Sequence, residues 1–284
     1  MMSGIKERKG IIVITGEVGA GKSILIYALL KDLTEKIKTA FISQTRVDFK
    51  DMLKNVLRDL EVPLGDKEEN MPALLLHFRK YLNERLAQDE TVTIVVDEAQ
   101  SLEEEVLQDL LRLSTPDCPA AKLLQILLVG HPELELKLDS EKLRPFKKRI
   151  GVHCRIRPLT REEGRGYMQH RLQLVGRNIS EVFTPEAVNQ VWEFAEGIPR
   201  VMNLLSDRAL SIGHSRSHPI IDPKIVKEAI KELEYLRPSK SRTLPRELSR
   251  KKSYYSIIRI LFFLISVCVF FLSFSAILIR ILRK

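Results

Sequence analysis

Two hydrophobic textures share the chain. Short apolar runs rich in β-branched residues lie at Ile11–Thr15, Thr39–Ser43, Thr91–Val96, Leu123–Val129 and Gly151–Ile156. Continuous runs of this length, bounded by turn residues, predict buried strands. Segments with helical spacing separate them, over about 21–37, 48–60, 72–88 and 101–113, with a breaker stretch at 62–66 and a loop at 114–119. Ser101 and Glu104 have the spacing of a capping box that opens the last of these helices. After Pro158 the strand pattern stops. Thr160 with Glu163 forms a second capping box, and Thr184-Pro185 and Asp222-Pro223 each pair an N-cap residue with proline at the first helical position. Helices are predicted near 160–176, 184–196, 199–214 and 222–236. A linker with Pro238, Pro245 and many Ser, Lys and Arg follows, and then Ile260–Ile279 runs twenty residues without a charge, its polar side chains being three serines and Cys268. At about 1.5 Å per residue such a helix spans roughly 30 Å, the hydrocarbon core of a bilayer. The predicted organisation is an α/β core (1–157), an all-helical lid (158–236), a basic linker (237–256) and one C-terminal transmembrane helix (257–280).

The candidate chemistry sits at strand ends. Gly16-Glu17-Val18-Gly19-Ala20-Gly21-Lys22-Ser23 follows the first strand and opens a helix. This is the pattern G-x-x-x-x-G-K-[ST] in the context that phosphate binding needs. Glycines allow backbone N–H groups to turn toward phosphate oxygens, and a helix start adds positive potential. Lys22 can reach the outer phosphates of ATP, and the Ser23 hydroxyl can ligate Mg²⁺. The third strand ends in Asp97-Glu98. Asp97 would hold Mg²⁺ directly or through water, and Glu98 would orient the attacking water or take its proton. An acidic strand end that merely caps the next helix is the competing reading. His131 follows the fourth strand, where it either senses the γ-phosphate or is a loop histidine without a role. Arg149 lies in a basic turn and is a candidate arginine finger toward a neighbouring subunit, or a solvated cation. Arg200, in Gly197-Ile198-Pro199-Arg200, starts a lid helix and can close onto the γ-phosphate, or is a surface arginine.

Charge narrows the partners. The formal net charge is +9, but from Arg237 onward eleven Lys and Arg face the single acid Glu247, which leaves 35 basic and 36 acidic residues in 1–236. The globular part is therefore near neutral, which argues against nucleic acid as a partner. Eight basic residues precede the apolar run and three follow it. That asymmetry, with Tyr254 and Tyr255 at the boundary, predicts a single-pass inner-membrane protein with its ATPase domain in the cytoplasm. Cys118, Cys154 and Cys268 are scattered and read as reduced thiols. Met1–Gly10 is short and charged and lacks the pattern of a signal peptide.

Taken in order, Gly16–Lys22, Val96-Asp97-Glu98-Ala99-Gln100, Gly130-His131-Pro132-Glu133-Leu134 and Gly197-Ile198-Pro199-Arg200 resemble the AAA+ ATPases of the general secretion pathway protein A (ExeA) type, from about residue 4 to 236. The resemblance implies a P-loop α/β fold, with a five-stranded parallel sheet and a helical lid, and a membrane span after the ATPase. It implies that Lys22 and Ser23 bind phosphate and Mg²⁺, that Asp97 supports the metal and that Glu98 is the base. It further implies that Arg200 is the lid's sensor arginine and Arg149 the finger of a homo-oligomer. A protein partner in a bacterial secretion, pilus or envelope polysaccharide system is the expected setting. The alternatives are a DNA-associated ATPase of transposition or replication type, and a scaffold switched by nucleotide without hydrolysis. Three features depart from the family: His131 stands where glutamine is usual, the peptidoglycan-binding domain often found after the span is missing, and a longer segment usually precedes the phosphate loop. The last suggests a truncated or misassigned start.

Overall fold

The computed structural model describes residues 8–31, 36–43, 47–64, 70–114 and 124–234. The predicted linker and membrane helix lie outside these residues. Among the described residues, no helix is long and apolar enough to cross a membrane. The chain divides into two compact units, Met1–Val18 with Ile26–Ile156, and Gly19–Leu25 with the chain from Arg157 onward.

In the first unit, β1 (Ile11–Gly16), β2 (Ile37–Ile42), β3 (Thr91–Val96), β4 (Leu124–Gly130) and β5 (Ile150–Ile156) form one sheet in the order β2-β3-β4-β1-β5. Every pairing is parallel. The three inner strands are buried at every position, whereas β2 and β5, at the edges, are only partly covered. That explains why the inner strands read as continuous apolar runs rather than alternating ones. Helices α2 (Phe49–Asp59), α3 (Met71–Ala87) and α4 (Glu104–Arg112) supply much of the core. Met52, Leu53, Leu57, Leu74, Phe78, Leu107 and Leu111 are all within 1% of full burial. Asp48 and Asn70 cap α2 and α3 through bonds to Asp51 and Ala73 N–H at 2.7 and 3.0 Å.

Helix α1 covers Lys22–Lys31 and β2 already begins at Ile37, so the helix expected over 21–37 ends earlier. Ile37 pairs with Thr91, and Thr91 N–H donates to the Lys36 carbonyl at 2.9 Å. Sheet pairing thus overrides the helical spacing at Lys36-Ile37. The capping box expected at Ser101 is not formed. Ala99–Ser101 is a 3₁₀ turn, Leu102 is fully buried in extended conformation, and α4 starts at Glu104. The Glu104 carboxylate instead accepts the Ser140 hydroxyl. Two short helices that the pattern did not announce, α5 (Glu133–Leu138) and α6 (Arg144–Lys147), lead from β4 to β5.

In the second unit the helices are α7 (Arg161–Gln173), α8 (Ile179–Val182), α9 (Pro185–Ala195), α10 (Pro199–Ser215) and α11 (Pro223–Leu233). The Thr160–Glu163 capping box is complete, and Thr184 and Asp222 cap α9 and α11 ahead of Pro185 and Pro223, as expected. Tyr167, Val191, Phe194, Met202, Leu205, Ala209 and Val226 form its core. The short α8 and an isolated Phe183–Ile221 bridge are additions to the four-helix expectation.

Candidate nucleotide-binding site

All five strands run the same way, so the ends of β1, β3 and β4 share one edge of the sheet. In that register Thr15 lies opposite Gly130, and Val96 opposite Leu128. Gly16 and Asp97 therefore emerge on either side of the end of β4. Two spacings of about 4.8 Å separate their strands by roughly 10 Å, which is room for a phosphate and an ion. The connection leaving β1 leads to β2 on one side, and that leaving β4 leads to β5 on the other.

The loop from Gly16 to Gly21 has the backbone its sequence requires. Gly19 and Gly21 hold φ of +81° and +91°, the left-handed region that other residues enter only at a cost. A Cβ on Gly16 would stand 2.9 Å from the Ile156 carbonyl. Ala20 is buried, Glu17 is half-buried and Val18 is exposed. Leu25 N–H donates to the Gly21 carbonyl at 3.0 Å, which opens α1. Lys22 is buried to 5% exposure and Ser23 is half-buried. Among the described residues, no group of three or more His, Cys, Asp and Glu could hold a metal ion by itself. A serine hydroxyl and an aspartate carboxylate are each hard oxygen donors, the kind that suits Mg²⁺ held mainly by phosphate and water.

Asp97 and Glu98 leave β3 in a tight turn. Asp97 N–H donates to the Ile42 carbonyl at 3.0 Å, and its carboxylate accepts Glu98 N–H at 2.9 Å. Glu98 has φ 53° and ψ 37°, left-handed for a residue with a Cβ, which costs about 1–2 kcal/mol. Its Oε2 accepts from Gln100 Nε2 at 2.6 Å and lies 3.5 Å from His131 Nε2. Gln100 Nε2 is also 3.3 Å from His131 Nδ1. An amide nitrogen only donates, so Nδ1 is the acceptor and the neutral imidazole carries its proton on Nε2, facing Glu98. His131, Asp97 and Glu98 are thus gathered at the end of β4. Sequence reading quoted Gln100 within its motif without giving it a role, and it overlooked Lys137, whose Nζ donates to the carbonyls of Gln100, at 2.6 Å, and Leu102. The signal available was Gln100's place two residues after Glu98.

Arg149 donates to the carbonyl and hydroxyl of Ser114, just past the end of α4. Its guanidinium therefore has a partner inside its own unit. In the second unit, the backbone N–H of Arg200 donates to the Gly19 carbonyl at 3.3 Å, and a Cβ on Gly19 would stand 2.7 Å from Arg200 Cβ. Gly19 and Arg200, far apart in sequence, meet there within the second unit, while Arg200 is exposed. Gly197, with φ +77°, precedes α10.

Residues 5–138 match the AAA domain family. Over 219 residues the chain is 33% identical to general secretion pathway protein A of Aeromonas hydrophila, covering 77% of this chain and 40% of that protein's length. Among solved structures, the fold matches the ORC2 protein of Aeropyrum pernix in its ADPNP–ADP complexes. The TM-score is 0.61 at 18% identity, over 84% of this chain and 66% of that one. It also matches Drosophila ORC bound to DNA, with a TM-score of 0.63 at 17% identity, over 82% of this chain and 58% of that one.

Proposed function

We propose that this chain, an AAA+ P-loop protein of the general secretion pathway protein A type, binds ATP and hydrolyses it to drive assembly or operation of a bacterial secretion, pilus or envelope polysaccharide system. The observation that carries this reading is the placement of Glu98. It projects from a strained turn beside the end of β4, hydrogen-bonded to Gln100 and next to His131, two strands from the glycine loop.

In this reading the loop from Gly16 to Gly21 wraps the phosphates and Lys22 neutralises charge on the outer ones. The Ser23 hydroxyl and the Asp97 carboxylate would hold Mg²⁺, which when bound offsets the negative charge of the phosphate oxygens. Glu98 takes a proton from water as the water oxygen bonds to the γ-phosphorus. The bond from that phosphorus to the β–γ bridging oxygen breaks, and ADP and inorganic phosphate leave. His131 senses the γ-phosphate or the water. Arg200 answers to the nucleotide from the lid, and Arg149 serves a neighbouring copy if it leaves Ser114, so the working form is a homo-oligomer. The charge-free stretch 260–279 anchors the protein in the inner membrane with the ATPase domain in the cytoplasm, and the basic linker lies against anionic lipid.

Glu98→Gln tests the reaction. The variant should bind ATP as the parent does and lose phosphate release by about 10²–10⁴-fold. Parental turnover by the variant would remove Glu98 from its role. A parent that binds ATP but releases no phosphate, even in vesicles, would favour the nucleotide-switched scaffold. Extraction of the full chain from membranes by salt or carbonate, without detergent, would refute the anchor.

A further inference from the structure

Gln100 is held on every polar atom of its side chain. His131 N–H is a donor and lies 3.0 Å from Gln100 Oε1, which settles the orientation of the amide. The amide nitrogen must then face Glu98 Oε2, at 2.6 Å, with its second hydrogen toward His131 Nδ1, at 3.3 Å. The residue's own carbonyl takes Lys137 Nζ at 2.6 Å. Its seat depends on a missing side chain, since a Cβ on Gly130 would stand 2.5 Å from Gln100 Oε1 and 3.3 Å from its backbone nitrogen.

Glu98, by contrast, has a side chain 44% exposed. A glutamate that open to water would sample several rotamers, and ordering it costs up to about 2 kcal/mol. The bond from Gln100 is short and charge-assisted, the kind able to select one rotamer. It occupies Oε2, and among the described residues no protein donor is seen on Oε1. One oxygen is tied, which leaves the other to take a proton.

We infer that Gln100 is a positioning residue for the hydrolysis proposed above, on which this inference rests. Its amide fixes the direction of the Glu98 carboxylate and joins it to the backbone of His131, so that the base and the end of β4 move together. A ligand contact that shifts Gly130-His131 would swing Glu98 through this amide, beside the longer 3.5 Å approach of His131 Nε2.

The test uses the full chain with ATP as the probe. Gln100→Met keeps the length of the side chain and removes the amide. It should lower kcat by roughly 10- to 100-fold, as small misplacements of catalytic groups do. KM, nucleotide affinity and the thermal midpoint should stay near parental values. In a Glu98→Gln background the same change should alter the residual rate less than about twofold, because the residue acts only through Glu98. Gly130→Ala, which displaces the amide without removing it, should repeat the kcat loss. If Gln100→Met and Gly130→Ala turn over like the parent while Glu98→Gln is inactive, the inference falls and the proposed reaction stands. If Glu98→Gln itself retains full turnover, the proposed reaction falls first. Parallel losses of rate, affinity and melting temperature in both variants would make Gln100 a structural residue and overturn the inference.

Discussion

Glu163 offers a perturbation whose size follows from the structure. Its carboxylate accepts two bonds from Arg157, at 2.8 and 2.9 Å, and one from Thr160 N–H at 2.9 Å. The Arg157 guanidinium is the main reason that the Glu163 carboxyl falls from its ordinary 4.5 to about 2. A carboxyl lowered on folding stabilises the folded state fully above its unfolded value, and this contribution fades as pH falls from 4.5 toward 2. At about 1.4 kcal/mol per tenfold the ceiling is near 3 kcal/mol. The Arg157 side chain is 52% exposed, and water screens the pair. Glu163→Gln, which keeps the shape and removes the charge, should therefore cost about 1–2 kcal/mol at pH 7. The chain's single tryptophan, Trp192, reports this locally, since its Nε1–H donates to the Leu159 carbonyl at 2.9 Å in the same unit. Urea unfolding followed by its fluorescence should show the full difference between variant and parent at pH 7 and less than half of it at pH 3. Equal stabilities at pH 7, or a difference that persists undiminished at pH 3, would refute the reasoning.

Further expectations concern backbone and partners. Gly19→Ala adds a Cβ at φ +81° and 2.7 Å from Arg200 Cβ. Titration with a fluorescent ATP analogue should show affinity reduced about tenfold or more, and parental affinity would refute the steric argument. Gly197→Ala would place a Cβ 2.1 Å from the Leu159 carbonyl at φ +77°. Trp192 fluorescence should report unfolding easier by about 3 kcal/mol or more, and an unchanged urea midpoint would contradict it. Arg149→Ala should lower the thermal midpoint by a few degrees, because about 1.5–3 kcal/mol of charge-assisted bonding to Ser114 is lost. Loss of turnover with an unchanged midpoint would instead assign Arg149 to a neighbouring subunit's nucleotide.

The candidate site's edge was legible because phosphate chemistry restricts residue types at fixed local spacing. Gly16–Ser23 and Asp97-Glu98 announce themselves by composition, and their strands by continuous apolar runs. The caps at Thr160, Thr184 and Asp222 were legible for the same reason, since a cap reaches only two or three residues along the chain. Ser101 shows where the local rule fails. Its spacing to Glu104 is correct, but the burial of Leu102 draws the backbone out of helix before the cap can form. Gln100 was quoted in its motif but given no role, because a glutamine has no fixed chemistry until its partners are known, and His131 lies 31 residues away.

The sequence by itself determined which strands are buried, where the glycine loop and the acidic pair fall, and that a run of helices follows the core. These are properties of neighbours along the chain, set by hydrophobic period, glycine conformations and capping. Only tertiary structure decided the order of strands that puts β4 between Gly16 and Asp97. It also decided the bond from Arg149 to Ser114, the meeting of Arg200 with Gly19, and the amide that joins Glu98 to His131. Each joins groups that no local rule brings together, and packing of the surrounding core supplies the free energy that holds them in place.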